Sequence, residues 1–172
     1  MPPEACGRDC RAQGDDSVTR LPQPRFALSL RAPWWWLVLH GHRDVDNTPW
    51  NLKHRGPCWL HASNWWGIKE VLGAWEIASR IAALPKADSG VSVNLNAFPI
   101  ETLEASSGYI VGLIDIVDVG RKGNSPWRMR GGAYGINDPL VLNDPVRCKG
   151  GQPGFFEVPD EVLAQLREAG YG

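Results

Sequence analysis

Apolar residues first take up an ordered spacing at Arg25. The run FALSL, 26–30, alternates apolar and small residues, which is the period of two of a half-buried strand. Pro33 then opens a short helix, Trp34 to His40, since proline in a first helical turn gives up no hydrogen bond. Gly41 closes that helix. Val45 to Trp50 reads as extended, NLKHRGP as a loop, and CWLHAS as a strand. From Trp66 to Leu84 the apolar positions Ile68, Val71, Leu72, Trp75, Ala78 and Ala82 fall three and four apart, so a helix is predicted. Asn64 is its expected cap and Pro85 its terminator. A polar loop, 86–98, leads to a short helix from Pro99 to Ala105.

Gly108 introduces GYIVGLIDIVDVG, rich in β-branched residues and apolar on both faces, so a central strand is expected. Residues 120–133 form a basic, glycine-containing loop, and 134–149 read as one or two strands between Asn-Asp-Pro turns. GFFEVP is the last strand, and Asp160 caps a terminal helix, EVLAQLREA. Short strands dominate without regular βαβ alternation. The fold class is therefore α+β: a small, mostly antiparallel β-barrel with flanking helices, not a doubly wound sheet. Residues 1–24 are rich in Pro, Gly, Arg and Asp without periodicity, and are expected to be a disordered extension of one domain, 25–172.

Composition sharpens this picture in three places. Hydrophobic residues make up 43% of the 172, so wholesale disorder is excluded. Nine tryptophans outnumber the four Phe and three Tyr combined, which raises the question of an aromatic binding surface. The net charge of −1 gives no global basic field, but residues 26–64 and 121–151 are both net positive, with acidic segments between and after them. Brought together, these blocks would form a local positive patch.

The longest apolar run, Ala32 to Leu39, is far short of the ~20 residues of a membrane span, so no membrane is expected. The first sixteen residues have no apolar h-region, so no secretory signal is expected. Four cysteines without a CxxC pair leave a cytoplasmic chain with reduced thiols as the expectation. His40-x-His42 and Cys58-x-x-His61 have ligand-like spacing. On a strand, however, positions three apart face opposite sides, so no metal is expected. No cofactor is expected either.

The stretch 28–63, LSLRAPWWWLVLHGHRDVDNTPWNLKHRGPCWLHAS, resembles the ASCH domain, a branch of the PUA-like barrels. Ser29, Arg31, Pro33 and Trp34 match the Ser-Ile-Arg/Lys-x-Pro-Trp strand end, and Gly41 matches the helix-closing glycine. Arg43, Asp46 and Asn47 stand in the Lys-x-x-Glu-Asn/Arg element. Trp50, Arg55, Gly56, His61, Ala62 and Ser63 complete the run. GYIVGLIDIVDV and KGGQPGFFEVP are similar to two further family segments, so the resemblance covers 26–160. It implies a PUA-like barrel whose cleft, between barrel and first helix, is faced by Arg31, Arg43 and Arg55. One ASCH-like branch hydrolyses acetylcytidine with a Lys-Thr pair and a distant Glu. The aligned positions here are Arg43 and Asp46, and arginine cannot serve as that lysine's base.

Guanidinium groups hold phosphates in pairs of hydrogen bonds and stack on bases. The expected nucleic-acid or nucleotide site therefore comprises Arg31, Arg43 and Arg55, the polar groups Ser29, Asp46, Asn47 and Ser63, and the loop residues Trp127, Arg128 and Arg130. Trp50 and Trp127 follow loops and are the expected stacking rings, whereas Trp34, Trp35 and Trp75 read as core. Arg31 and Arg55 have a plainer alternative, pairing with Asp44, Asp115 or Asp118.

Three functions compete. The first is a module binding RNA, another single strand, or a modified nucleotide. The second is a hydrolase of RNA or a modified nucleoside, with Arg43, Asp46 and His61 as its catalytic residues. The third is a protein-interaction adaptor that works through residues 1–24 or the insert 86–107.

Overall fold

The computed structural model describes residues 23–47, 53–64, 67–84, 99–118, 125–129 and 133–171. The elements run β1 (Phe26–Leu30), α1 (Trp34–Leu39), β2 (Val45–Asp46), β3 (Gly56–Ala62), α2 (Ile68–Ala82), α3 (Ile100–Ala105), β4 (Tyr109–Asp118), β5 (Tyr134–Arg147), β6 (Gly154–Glu157) and α4 (Asp160–Glu168). Six strands form one sheet in the order β2-β5-β4-β3-β1-β6. The sheet curls into half a barrel flanked by the helices. Four of its five pairings are antiparallel, and only β1 and β3 are parallel. A parallel pair needs a crossover to carry the chain back, and the stretch through α1 and β2 supplies it. The expected α+β class, with a mostly antiparallel sheet curled toward a barrel and flanking helices, is thus what the chain adopts.

Strand alternation sorts side chains onto two cores. One face carries Leu28, Leu30, Cys58, Leu60, Ile114 and Ile116 against Trp35, Val38 and Leu39 of α1. The other carries Ala27, Trp59, Ile110 and Phe156 against Val162, Leu163 and Leu166 of α4. Both faces of β4 are therefore covered, as its continuous apolar run predicts. Val111 and Ile114 are three apart yet share the α1 side. Register shifts between Ile110 and Gly112, and between Leu113 and Asp115, supply the odd step. Truncating a fully buried residue here, Leu60 or Ile114, to alanine should cost about 2–5 kcal/mol.

Two glycines place α1. A Cβ on Gly112 would run into the Leu39 side chain and approach the Leu140 carbonyl to 2.7 Å, so the bare backbone lets α1 lie on β4. Gly41 takes φ 70°, and the amides of His42 and Arg43 both donate to the Leu37 carbonyl, at 2.8 and 3.0 Å. This is the expected helix stop, and it carries the chain from α1 to Arg43 and β2. A third cluster joins α2 to this region: Ala78 packs with Leu37, Val45 and Trp127, bordered by Trp34, Trp36, Trp75 and Ile81.

Several sequence expectations are corrected. α2 begins at Ile68 after Gly67, whose φ of 113° suits glycine, so Asn64 is not its cap. Asp160 lies in the first turn of α4 and Pro159 holds the cap position. Of the one or two strands expected over 134–149, one forms, Tyr134–Arg147, because β5 pairs along its length with β4 and at its start with β2. Trp75 is half-buried rather than fully in the core.

Residues 1–22 and the polar loop over 86–98 lie outside the described residues. Gln23 and Pro24 are described and anchored. Gln23 donates to the Leu163 carbonyl at 3.1 Å, and the Trp59 indole donates to the Pro24 carbonyl at 2.8 Å. Among the described residues, no helix is long and apolar enough to cross a membrane.

Candidate ligand pocket

A cavity of about 560 Å³ opens at the C-terminal ends of β1 and β3. α2 and the segments 43–47, 127–129 and 151–154 complete its walls. That volume is in the range of small-molecule sites.

Arg43 forms the back of one wall. It is buried, and its Nη2 donates to Asp46 Oδ1 at 2.9 Å. Tyr134, at the start of β5, donates its hydroxyl to the other Asp46 oxygen at 2.7 Å. The β2–β5 pairing sets Asp46 opposite Tyr134 and so fixes this contact. The guanidinium carbon lies 4.7 Å from the Trp34 ring centre and 5.9 Å from that of Trp127. Trp34 and Trp127 meet edge to face at 6.3 Å. Burial pulls the Arg43 guanidinium below its ordinary pKa, and Asp46 opposes that shift most strongly. The result is a cation fixed between two indoles and neutralised by its own carboxylate.

Two polar side chains hold the segment that brings Trp127 here. The Asn47 amide donates to the Trp127 carbonyl at 2.7 Å and accepts from the Met129 amide at 2.9 Å. Ser125 donates to Asp44 Oδ1 at 2.5 Å and accepts from the Trp127 amide at 3.2 Å. Asn47 is therefore committed to positioning the backbone.

The floor comes from the parallel β1–β3 pair. Ser29 and His61 are in register, and Ser29 Oγ lies 2.9 Å from His61 Nδ1. His61 is buried, edge-on to Phe156 at 5.4 Å. Desolvation lowers its pKa to about 4, so the ring is neutral at physiological pH. Gly151 closes over it, and a Cβ there would come within 2.5 Å of the ring. Cys58 sits in the α1-side core, on the opposite face from His61, as alternation requires. Among the described residues, no group of three His, Cys, Asp or Glu could hold a metal ion.

Four side chains lining the cavity carry a buried polar atom with no hydrogen-bond partner: Arg43 Nε, His61 Nε2, Ser63 Oγ and Trp127 Nε1. Each such atom costs about 1–3 kcal/mol unless something satisfies it. Part of the wall is apolar. It is made by Ile77 and Ile81 of α2 and by Met129.

Of the expected site residues, Ser29, Arg31, Arg43, Asp46, Asn47, Ser63 and Trp127 line this cavity, with Arg31 exposed at its edge. Arg55 does not. It lies at the far end of β3, about 20 Å along the strand from His61, and pairs with Asp118 at 2.6 Å. Arg128 is exposed and does not line the cavity, whereas its neighbour Met129 does. Trp50 and Arg130 lie outside the described residues. The expected three-arginine cleft is thus one buried, neutralised arginine with a second at the mouth.

The sequence reading missed Trp34 as a wall, although its place beside Pro33 in the strand-end motif was a signal. Nothing in the sequence marked Tyr134, Ile77, Ile81 or Met129, because their roles depend on which distant elements pack together.

No protein-family model matches this chain, and no curated protein does. Among solved structures, a mutant ZmASCH protein from Zymomonas mobilis is similar. The TM-score is 0.42 and the identity 12%, over 85% of this chain and 97% of that one.

Proposed function

We propose that this chain binds single-stranded nucleic acid, or a modified nucleotide, by taking one unstacked base into the cavity. One observation carries the reading: the Arg43 guanidinium is held over Trp34 by Asp46, beside Trp127, in a cavity of about 560 Å³. Aromatic rings and guanidinium planes hold unstacked bases at about 1–3 kcal/mol per base. Exposed polar side chains at the rim, Asn64 and Gln152, offer hydrogen bonds to a base edge.

Phosphate plays the smaller part in this reading. Arg43 is neutralised inside, Arg55 is remote and ion-paired, and Arg31 is the charged arginine at the edge. Binding should therefore depend on salt with the slope of about one or two phosphate contacts. Anisotropy titrations of labelled single-stranded RNA and DNA across a salt series test this. Saturable binding that Trp34→Ala weakens at least tenfold is expected. No binding at the lowest salt would overturn the reading.

The hydrolase reading has less support. Both Asp46 oxygens already accept hydrogen bonds, from Arg43 and Tyr134, so both are engaged within the protein. The adaptor reading places its contacts mainly on residues 1–24 and 86–107, and most of these lie outside the described residues.

A further inference from the structure

Three aromatic rings meet at the β6 edge of the sheet, beyond the residues that line the cavity. Phe26 and Phe155 stack with centroids 5.2 Å apart and planes 17° from parallel. The His54 ring tilts against both, 6.0 Å from Phe26 and 5.0 Å from Phe155. Phe26 is 37% exposed, and Phe155 and His54 are half-buried, so the group is open to solvent. The rings continue the cavity wall. Leu28 and Gly154 line the cavity, and Phe155 follows Gly154 and is the partner of Leu28 in the β1–β6 register. Phe26, two residues before Leu28, lies on the same face by alternation. It stands about 10 Å along β1 from Ser29 on the cavity floor.

We propose that these rings stack a second base of the same single strand whose first base occupies the cavity. This rests on the base-binding reading above and gives that site a second base position. Stacking needs an aromatic surface reachable from solvent and asks little of the base's identity. At about 3.4 Å per stacked nucleotide, and more when splayed, a strand of about three nucleotides covers the distance from the cavity to Phe26. The described chain before β1 leads away from the rings. Gln23 is tied to the Leu163 carbonyl and Pro24 to the Trp59 indole, both in the core on the other face. The Glu157 carboxylate, opposite Phe26 in the register, pairs with Arg25 at 2.9 Å, which offsets its repulsion of a phosphate backbone.

Calorimetry with inosine monophosphate and with the single-stranded trinucleotide of the same base tests the proposal. The trinucleotide should bind about tenfold more tightly, the size of one stacked base. Phe26→Leu keeps apolar bulk at the sheet edge and removes the ring. It should cut that advantage to about twofold, with the monophosphate affinity and the trinucleotide's salt slope unchanged, since the ring carries no charge. Phe26→Trp should keep the advantage. His54→Ala carries the same test if Phe26→Leu does not fold. A trinucleotide no tighter than the monophosphate, an advantage unchanged in every folded variant, or an equal loss for both ligands would overturn the second base position while the base-binding reading stood. Failure of both ligands to bind would overturn that reading, and the second position with it.

Discussion

Arg43 and Asp46 form a buried ion pair at 2.9 Å, three residues apart across the start of β2, with Tyr134 bonded to the second Asp46 oxygen. Asp46 accepts from both of the others, and the pair holds a cation against Trp34. Asp46→Asn keeps the shape but removes the charge that keeps Arg43 tolerable out of water. It should destabilise the protein by about 3–5 kcal/mol, read from urea unfolding. Replacing both partners, as Arg43→Met with Asp46→Leu, should recover most of that stability and still abolish nucleotide binding. Recovery of both would remove Arg43 from the ligand site.

His61 gives the protein a pH dependence with a defined sign. Its folded pKa, about 4, lies below the ordinary 6.5, so the unfolded chain binds the proton first. Its contribution is intact above pH 6.5, declines as pH falls toward 4, and levels off below that. The loss across this window is on the order of 3 kcal/mol. His61→Asn should flatten the stability profile between those pH values. A profile equally steep in the variant would assign the dependence to another group.

The glycine over that ring is required by space. Gly151→Ala puts a methyl group 2.5 Å from the His61 imidazole, between backbone and a buried ring. A destabilisation of about 1–3 kcal/mol is expected, with weakened nucleotide binding, because the 151–154 segment is part of the cavity wall. Thermal unfolding unchanged from wild type would show that the loop yields freely.

Arg55 supplies the opposite expectation. It is 42% exposed in its side chain and pairs with an Asp118 that is 73% exposed. Arg55→Ala should change stability by less than about 1 kcal/mol and leave nucleotide affinity within twofold. Arg31→Ala, at the cavity edge, should weaken binding of an oligonucleotide and reduce its salt slope. If Arg55→Ala weakens binding as much as Arg31→Ala, the ligand path must extend along β3.

How far the sequence could be read follows from the range of each signal. β4 was legible because its apolar run states locally that both faces are covered. Gly41 was legible because a helix stop needs only its own backbone. Arg43, Asp46 and Asn47 were legible as a group through their motif spacing. The alternation of Cys58 and His61 separated core from cavity floor. Arg55 was expected in the cleft from the resemblance, but β3 carries His61 some 20 Å away from it, and the plainer alternative, the pair with Asp118, is what forms. The nature of the pocket was also hidden. Arginine count suggested a basic cleft, but Arg43 is buried against Asp46, and the Tyr134 hydroxyl that fixes that carboxylate lies 88 residues away. The tryptophan excess divides similarly. Trp35 and Trp59 are core, while Trp34 and Trp127 are both structural and cavity-lining, which no local pattern distinguishes.

The central claim is that a base enters the cavity beside Arg43, Trp34 and Trp127. The most direct measurement follows indole N–H resonances of ¹⁵N-labelled protein during titration with inosine monophosphate, with Trp127→Phe identifying the Trp127 signal. Trp127 lines the cavity, so a base entering beside its ring should move that resonance saturably, in step with the calorimetric affinity. The Trp59 indole, bonded to the Pro24 carbonyl in the other core, should stay still. Saturable binding with the Trp127 resonance unmoved would contradict the account.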